Sequence, residues 1–294
     1  MPDSLAQRAA LLYHFWRTRQ RLRFASRAEL LDWQVRQVER FVREVLPRAP
    51  FYREFQQPQL SELPLLDKSV MMAEFDRLNT RGIRKDAAFD VALRAEQSRD
   101  FSPVLDGITV GLSSGTSGNR GVFLVSPAER AQWAGTMLAK ALPAGMIGEL
   151  LTGRLPQLRI AFFLRANSNL YTTLKQRRID FAFYDLWQDF ESLLSRLHTQ
   201  QPHFLVAPAY VLRLLAEAQR AGTIAIQPRK IFSVAEVLEP QDESFIQATF
   251  GLPVAQIYQA TEGFLGITCA HGTLHLNEEL IHVEPQWLDE AKTC

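Results

Sequence analysis

The stretch FLVAPAYVLRLLAEAQRAGTIAIQPRKIFSVA, residues 204–235, decides the fold. Phe204 to Ala207 is a short apolar run that Pro208 interrupts. Tyr210 to Ala221 then sets apolar residues at helical spacing, and Ile231 to Ala235 is a second strand-like run. Strand, helix and strand in about thirty residues is the repeating unit of a parallel sheet.

The same alternation extends in both directions. Upstream lie the β-branched or aromatic runs Ile108-Thr109-Val110, Val122 to Val125, Ile160 to Leu164 and Phe181 to Tyr184; downstream lies Val254 to Tyr258. Helical patterns at Pro127 to Leu142, Leu186 to Thr199 and Gln241 to Phe250 separate most of them. Gly263 to Glu284, with turn signals at Gly266 and Gly272, reads as a small antiparallel appendage.

Before this region the texture is helical. Leu31, Val35, Val38, Phe41, Val42 and Val45 recur at steps of three and four within residues 5–46 and define a core face, and Pro47 stops the pattern. Pro47 to Arg99 is mixed, with turns at Leu63-Pro64 and Asn79-Thr80-Arg81-Gly82 and a helical piece at Ser69 to Leu78. The expected fold class is α/β: an N-terminal helical segment over residues 1–100, then a largely parallel sheet flanked by helices in residues 101–294, with the antiparallel appendage.

Composition narrows the function. The 294 residues are 47% hydrophobic, enough for a packed core, and 33 basic residues stand against 32 acidic ones. That balance offers no electrostatic footprint for nucleic acid or an anionic membrane surface. Cys269 and Cys294 are the only cysteines, so no disulfide framework is expected and a reducing cytoplasm is the natural compartment. Apolar runs fall short of the roughly 20 residues a bilayer span needs, and the N-terminus lacks a signal layout. Oligomeric state is left open.

The densest local signal is Gly111-Leu112-Ser113-Ser114-Gly115-Thr116-Ser117-Gly118-Asn119-Arg120-Gly121, directly after Ile108-Thr109-Val110. Glycines at intervals of three permit close backbone approach and positive φ, while hydroxyls and an arginine offer donors to phosphate oxygens. The spacing fits neither the Walker loop nor the dinucleotide fingerprint, and an exposed hairpin turn of the same composition is the plain structural reading. Gly111 to Gly115 also fits Gly-x-Ser-x-Gly, which would make Ser113 a hydrolase nucleophile with His271, His275 or His282 as partner. That elbow requires a helix right after the serine, whereas this chain runs on into a second strand.

Ser113 to Gly118 resembles the phosphate loop of acyl-adenylate-forming enzymes, and Tyr258-Gln259-Ala260-Thr261-Glu262 resembles their Tyr-x-x-Thr-Glu motif. Ser233-Val234-Ala235-Glu236 stands between them in the family's order. Ala49-Pro50-Phe51-Tyr52, Leu63 to Lys68 and Gly272 to Glu279 are similar to the branch holding phenylacetate-CoA ligases and the synthetases that adenylylate deazaflavin coenzymes. The resemblance implies the large N-terminal core of an adenylate-forming ligase, in which residues 101–294 form the nucleotide-binding part. Carboxylate and ATP would give acyl-AMP and pyrophosphate, and the acyl group would pass to CoA or another acceptor.

Residue by residue, the resemblance implies that Ser113, Ser114, Thr116 and Ser117 hold the triphosphate. Gly115, Gly118 and Gly121 would let the backbone close on it, and Arg120 would compensate charge. Ala235 and Glu236, with Val234, would line the adenine and acyl region. Tyr258 would stack on adenine, Thr261 would contact the α-phosphate, and Glu262 would coordinate Mg²⁺. Two departures stand out. Gly118-Asn119-Arg120-Gly121 lacks the Pro and Lys of the family loop, so an arginine fork replaces an ammonium. The family also continues into a small domain carrying a catalytic lysine, which this sequence, ending at Cys294, does not reach; Lys292 is not that residue. Alternatives are therefore an incomplete nucleotide-binding protein, or half of a split enzyme whose C-terminal domain acts in trans.

Other residues carry weaker signals. Cys269, His271 and His275 have a three-ligand spacing, against which packing on a hairpin is the plainer reading. Arg165 and Asn167 follow a buried-type strand where an acyl pocket could lie, and Arg99 and Asp67-Lys68 read as local ion pairs or caps.

Overall fold

In the computed structural model, which describes residues 5–55, 58–113, 120–165, 171, 173–261 and 263–285, the helical N-terminal stretch is two helices. They are α1 (Leu5–Gln20) and α2 (Arg27–Glu44). Ser26 starts the second: its Oγ accepts the Glu29 N–H at 3.2 Å, and the Glu29 carboxylate accepts the Ala25 N–H at 2.7 Å. This reciprocal box satisfies amides that a continuous helix would have bonded internally.

The break coincides with a division into two compact units: Met1–Arg21 with Ile83–His275, and Leu22–Gly82 with Leu276–Cys294. The smaller unit holds α2, short 3-10 turns, α3 (Lys68–Ala73) and α4 (Phe75–Leu78). Asp67 caps α3 by accepting the Val70 N–H at 2.8 Å. The turn expected at Asn79 to Gly82 is present, with the Arg81 N–H donating to Asn79 Oδ1 at 3.1 Å. The core face expected on α2 is only partly covered: Val38, Val42 and Val45 are part-buried, whereas Leu31, Val35 and Phe41 are 45%, 55% and 45% exposed. Its buried residue is Gln34, whose amide donates to the Glu278 carbonyl at 2.8 Å, beside Trp33 donating to Glu279 at 3.1 Å. Hydrogen bonding to a distant segment, rather than apolar periodicity, sets which face turns inward.

The larger unit continues from α1 with α5 (Lys85–Ser98), β1 (Val104–Leu105), β2 (Ile108–Leu112), β3 (Val122–Val125), α6 (Pro127–Ala141), α7 (Ala144–Thr152) and β4 (Leu158–Leu164). It goes on through β5 (Ile179–Asp185), α8 (Phe190–Gln200), β6 (Phe204–Ala207), α9 (Ala209–Arg220), β7 (Lys230–Val234), α10 (Pro240–Phe250), β8 (Val254–Ala260), β9 (Gly263–Thr268) and β10 (Leu274–Leu276). The main sheet has the order β10-β9-β8-β7-β6-β4-β5, and β5, β4, β6, β7 and β8 are parallel. The decisive stretch, residues 204–235, is β6, α9 and β7.

Both faces of this sheet are covered, which is why its strands read as continuous apolar runs. Ile160, Phe162, Phe181, Val206 and Phe232 face a layer containing Leu11 of α1 and Ala134, Met137 and Leu138 of α6. Ala161, Phe163, Tyr184, Leu205 and Ile231 face Leu193 and Leu197 of α8 and Leu212 and Leu215 of α9. Gly135 lets α1 seat on α6, since a Cβ there would lie 2.4 Å from the Leu11 carbonyl oxygen.

One expectation needs correction. Gly266 makes no turn; it lies within β9, opposite Tyr258 of β8. The antiparallel appendage is present, β9 joining the main sheet antiparallel to β8 with β10 beyond it, and β1, β2 and β3 form a separate three-stranded antiparallel sheet.

Candidate functional site

Strand order locates the crevice. β4 leads to β5 on one side, whereas β6, its neighbour on the other side, leads away to β7. Connections that diverge from adjacent parallel strands leave an opening beyond their carboxyl ends, the usual ligand position in open α/β sheets. Arg165 follows β4 at this point, and Pro208 and Tyr210 follow β6.

The next two strands bring sequence-selected residues to the same edge. Val234 of β7 pairs with Ile257 of β8, so Ala235 and Tyr258 are the next residues of neighbouring strands. Ala235 has φ 69°, in the left-handed region, where a residue with a Cβ is strained. Glu236 stays beside it: a carboxylate oxygen accepts the Tyr210 N–H at 2.6 Å, capping the start of α9. Tyr258 is half exposed and stands at a register shift, beyond which Gln259 and Ala260 go on pairing with β9. Ser233 lies beneath, 2% exposed, its hydroxyl without a hydrogen-bond partner.

The neck of the glycine and hydroxyl loop is closed by two bonds. The Ser113 N–H donates to the Gly121 carbonyl and the Gly121 N–H to Ser113 Oγ, each at 2.8 Å. Ser113 Oγ is therefore occupied in accepting a backbone N–H between the antiparallel strands β2 and β3, and the next described helix, α6, starts only at Pro127 after β3. This is not the strand-to-helix elbow of a hydrolase. Gly111 needs its missing side chain, because a Cβ would lie 2.2 Å from the Phe123 ring of the paired strand. Ser114, Gly115, Thr116, Ser117 and Gly118 lie outside the described residues, as do Asn167 and Glu262; Thr261 is described and exposed.

Arg120 is paired rather than free. Its two terminal nitrogens donate to the two Glu96 carboxylate oxygens at 2.7 and 2.6 Å. Arg120, and more weakly Arg99, hold the Glu96 carboxyl below the usual carboxylate range. Arg99 ends α5 in the left-handed conformation and reaches the sheet edge, Nε donating to Asp185 at 2.8 Å and Nη2 to the Arg165 carbonyl at 2.7 Å. The expected local pair of Arg99 is thus a long-range tie, and no sequence signal marked Glu96 or Asp185 as its neighbours.

An aromatic group lies under this edge. The Tyr171 ring is 4.7 Å from Phe162 and 5.8 Å from Trp133, whose indole N–H donates to Gln259 at 3.1 Å. Burial pushes the Tyr171 hydroxyl up to about 12, so it is neutral. Gln259 sits within the Tyr258 to Glu262 motif, and its link to α6 was not legible in the motif itself.

His271 and His275 are exposed on the β9–β10 hairpin, and Cys269 is partly exposed with its sulfur accepting the His271 N–H at 3.3 Å. Packing does not explain them. Among the described residues no three His, Cys, Asp or Glu side chains are grouped to hold a metal ion. No described helix is long and apolar enough to cross a membrane.

No protein-family model and no curated protein matches the chain. Solved structures do. The structure of 2-hydroxyisobutyryl-CoA ligase in the postadenylation state, in complex with R3-HIB-AMP, is similar at 16% identity and TM-score 0.56, over 85% of this chain and 53% of that one. The same ligase with 2-HIB-AMP and CoA, in its thioesterification state, is similar at 16% identity and TM-score 0.53, over 86% and 54%. The chain spans little more than half the length of that ligase, and what they share is the fold.

Proposed function

We propose that this chain is the nucleotide-binding core of an enzyme that adenylates a carboxylic acid. Its fold is that of an adenylate-forming ligase's large part, as the sequence resemblance implied. The observation that supports the activity is the Val234–Ile257 register, which sets Ala235-Glu236 beside Tyr258 at the carboxyl edge of the sheet. A strained backbone held by a carboxylate next to an exposed aromatic ring suits a flat base.

In this reading Tyr258 stacks on adenine, and Ala235 and Glu236 wall its pocket. Ser113, Ser114, Thr116 and Ser117, with Gly115, Gly118 and Gly121, grip the triphosphate, and Arg120 offsets its charge. Thr261 meets the α-phosphate. Mg²⁺, when bound at Glu262, would supply charge neutralisation on the phosphate oxygens. The acid attacks the α-phosphorus and pyrophosphate leaves; CoA or another nucleophile then takes the acyl group and AMP departs.

Pyrophosphate exchange with a panel of aromatic and aliphatic acids tests this: ATP labelling that depends on one acid is expected. Binding of ATP without exchange for any acid would instead support a chain that supplies only half of a split enzyme. That reading has its own test, restoration of exchange by a separately added lysine-bearing domain. A fluorophosphonate should leave Ser113 unlabelled.

A further inference from the structure

We propose that Glu96 is a positioning residue for Arg120 at the neck of the glycine and hydroxyl loop, and that the last turn of α5 ties that neck to the carboxyl ends of β4 and β5. This rests on the proposed nucleotide site and adds a residue that no motif contains.

Three links make the connection. At the loop neck, the Ser113 and Gly121 backbones are bonded to each other, fixing the residue that follows Arg120. Arg120 is held by both oxygens of Glu96, a paired geometry that sets the plane of the guanidinium as well as its position. One helical turn is shared from Glu96 to Arg99, whose side chain is fixed on Asp185 and the Arg165 carbonyl and lies 5.0 Å from the centre of the Phe101 ring. Asp185 is itself anchored: it is 9% exposed, and its second oxygen accepts the Trp187 N–H at 3.1 Å.

An end-on carboxylate engages one N–H on each terminal nitrogen of arginine. Among the described residues that leaves three donors of Arg120, including Nε–H, so the guanidinium can hold Glu96 and a phosphate oxygen together. Glu96 therefore orients Arg120 toward polyphosphate rather than competing for it. This explains how an arginine can serve where the related loop carries lysine: a long, forked side chain acts as a fixed donor once a second group sets its plane.

The test is a double-mutant cycle, E96Q, R120Q and both, on the full chain. Calorimetry with Mg²⁺-ATP and with Mg²⁺-tripolyphosphate reads binding. Hydrogen exchange across residues 111–125 reads positioning with no ligand present, and circular dichroism checks the fold. E96Q should weaken both ligands about three- to fivefold, R120Q somewhat more, and the double variant no more than R120Q alone. E96Q and R120Q should raise exchange at the neck to a similar degree. Additive losses, tighter binding by E96Q, or unchanged exchange would each overturn the proposal. Raised exchange in a protein that binds neither ligand would uphold the positioning and reject the nucleotide reading.

Discussion

The carboxylate of Glu236 accepts the backbone N–H of Tyr210 at 2.6 Å, so the acid that leaves β7 caps the helix that leaves β6. One side chain thereby fixes two neighbouring strand-to-helix turns at the carboxyl edge of the sheet. Glu236→Ala should cost about 0.5–2 kcal/mol, the usual loss on removing a helix N-terminal cap. It should also weaken ATP binding, because Ala235 loses its restraint. Chemical denaturation and calorimetry on one preparation check both, and unchanged stability would show that the bond contributes nothing in solution.

Ala235 occupies a backbone region that favours glycine. Ala235→Gly should raise stability by about 0.5–1 kcal/mol, since relief of left-handed strain exceeds the entropy lost by glycine. Ala235→Val should lower it, because a branched Cβ is strained further at this φ. Melting temperatures in the opposite order would remove strain as a feature of this turn.

Gly111 and Phe123 face each other on β2 and β3, the ring occupying the space of the missing side chain. Gly111→Ala should displace the ring and cost about 1–3 kcal/mol, as overpacking does. Adding Phe123→Leu should recover most of the loss. Thermal melts of the single and double variants decide it, a fully additive result arguing against the contact.

His203 gives stability a pH dependence. Its Nδ1 accepts the Arg159 N–H at 3.0 Å, a bond only the unprotonated nitrogen can make. Burial, with Arg159 and Arg229 nearby, lowers its pKa from 6.5 to about 4. The unfolded chain then binds more protons between these values, so stability is full above pH 6.5 and falls as pH drops toward 4. The loss attributable to this residue should be about 1–3 kcal/mol. His203→Asn should flatten that part of the denaturation profile; an unaltered slope would assign it to other groups.

Much of the architecture was legible because each parallel strand is buried on both faces and must be apolar throughout. Phe204 to Ala207 coincides with β6 and Val122 to Val125 with β3, and the other runs differ from their strands by a few residues at the ends. The break between α1 and α2 was missed because Arg21 to Ser26 has neither glycine nor proline. Ser26 and Glu29 were the signal, a capping pair that apolar periodicity passes over. The exposed stripe of α2 was misjudged for a related reason: spacing shows that a stripe exists, not what covers it.

The candidate site divides in the same way. Ser113, Ala235, Glu236 and Tyr258 could be selected from the sequence because local motifs carry backbone and side-chain chemistry within a few residues. Glu96, Asp185, Tyr210 and Trp133 could not, since their roles depend on partners 24, 86, 26 and 126 residues away along the chain. The sequence by itself determined most of the strand segments, their succession along the chain and the chemical character of the loops at their ends. Only the tertiary structure decided which loops meet, because pairing across that separation is set by strand order and packing.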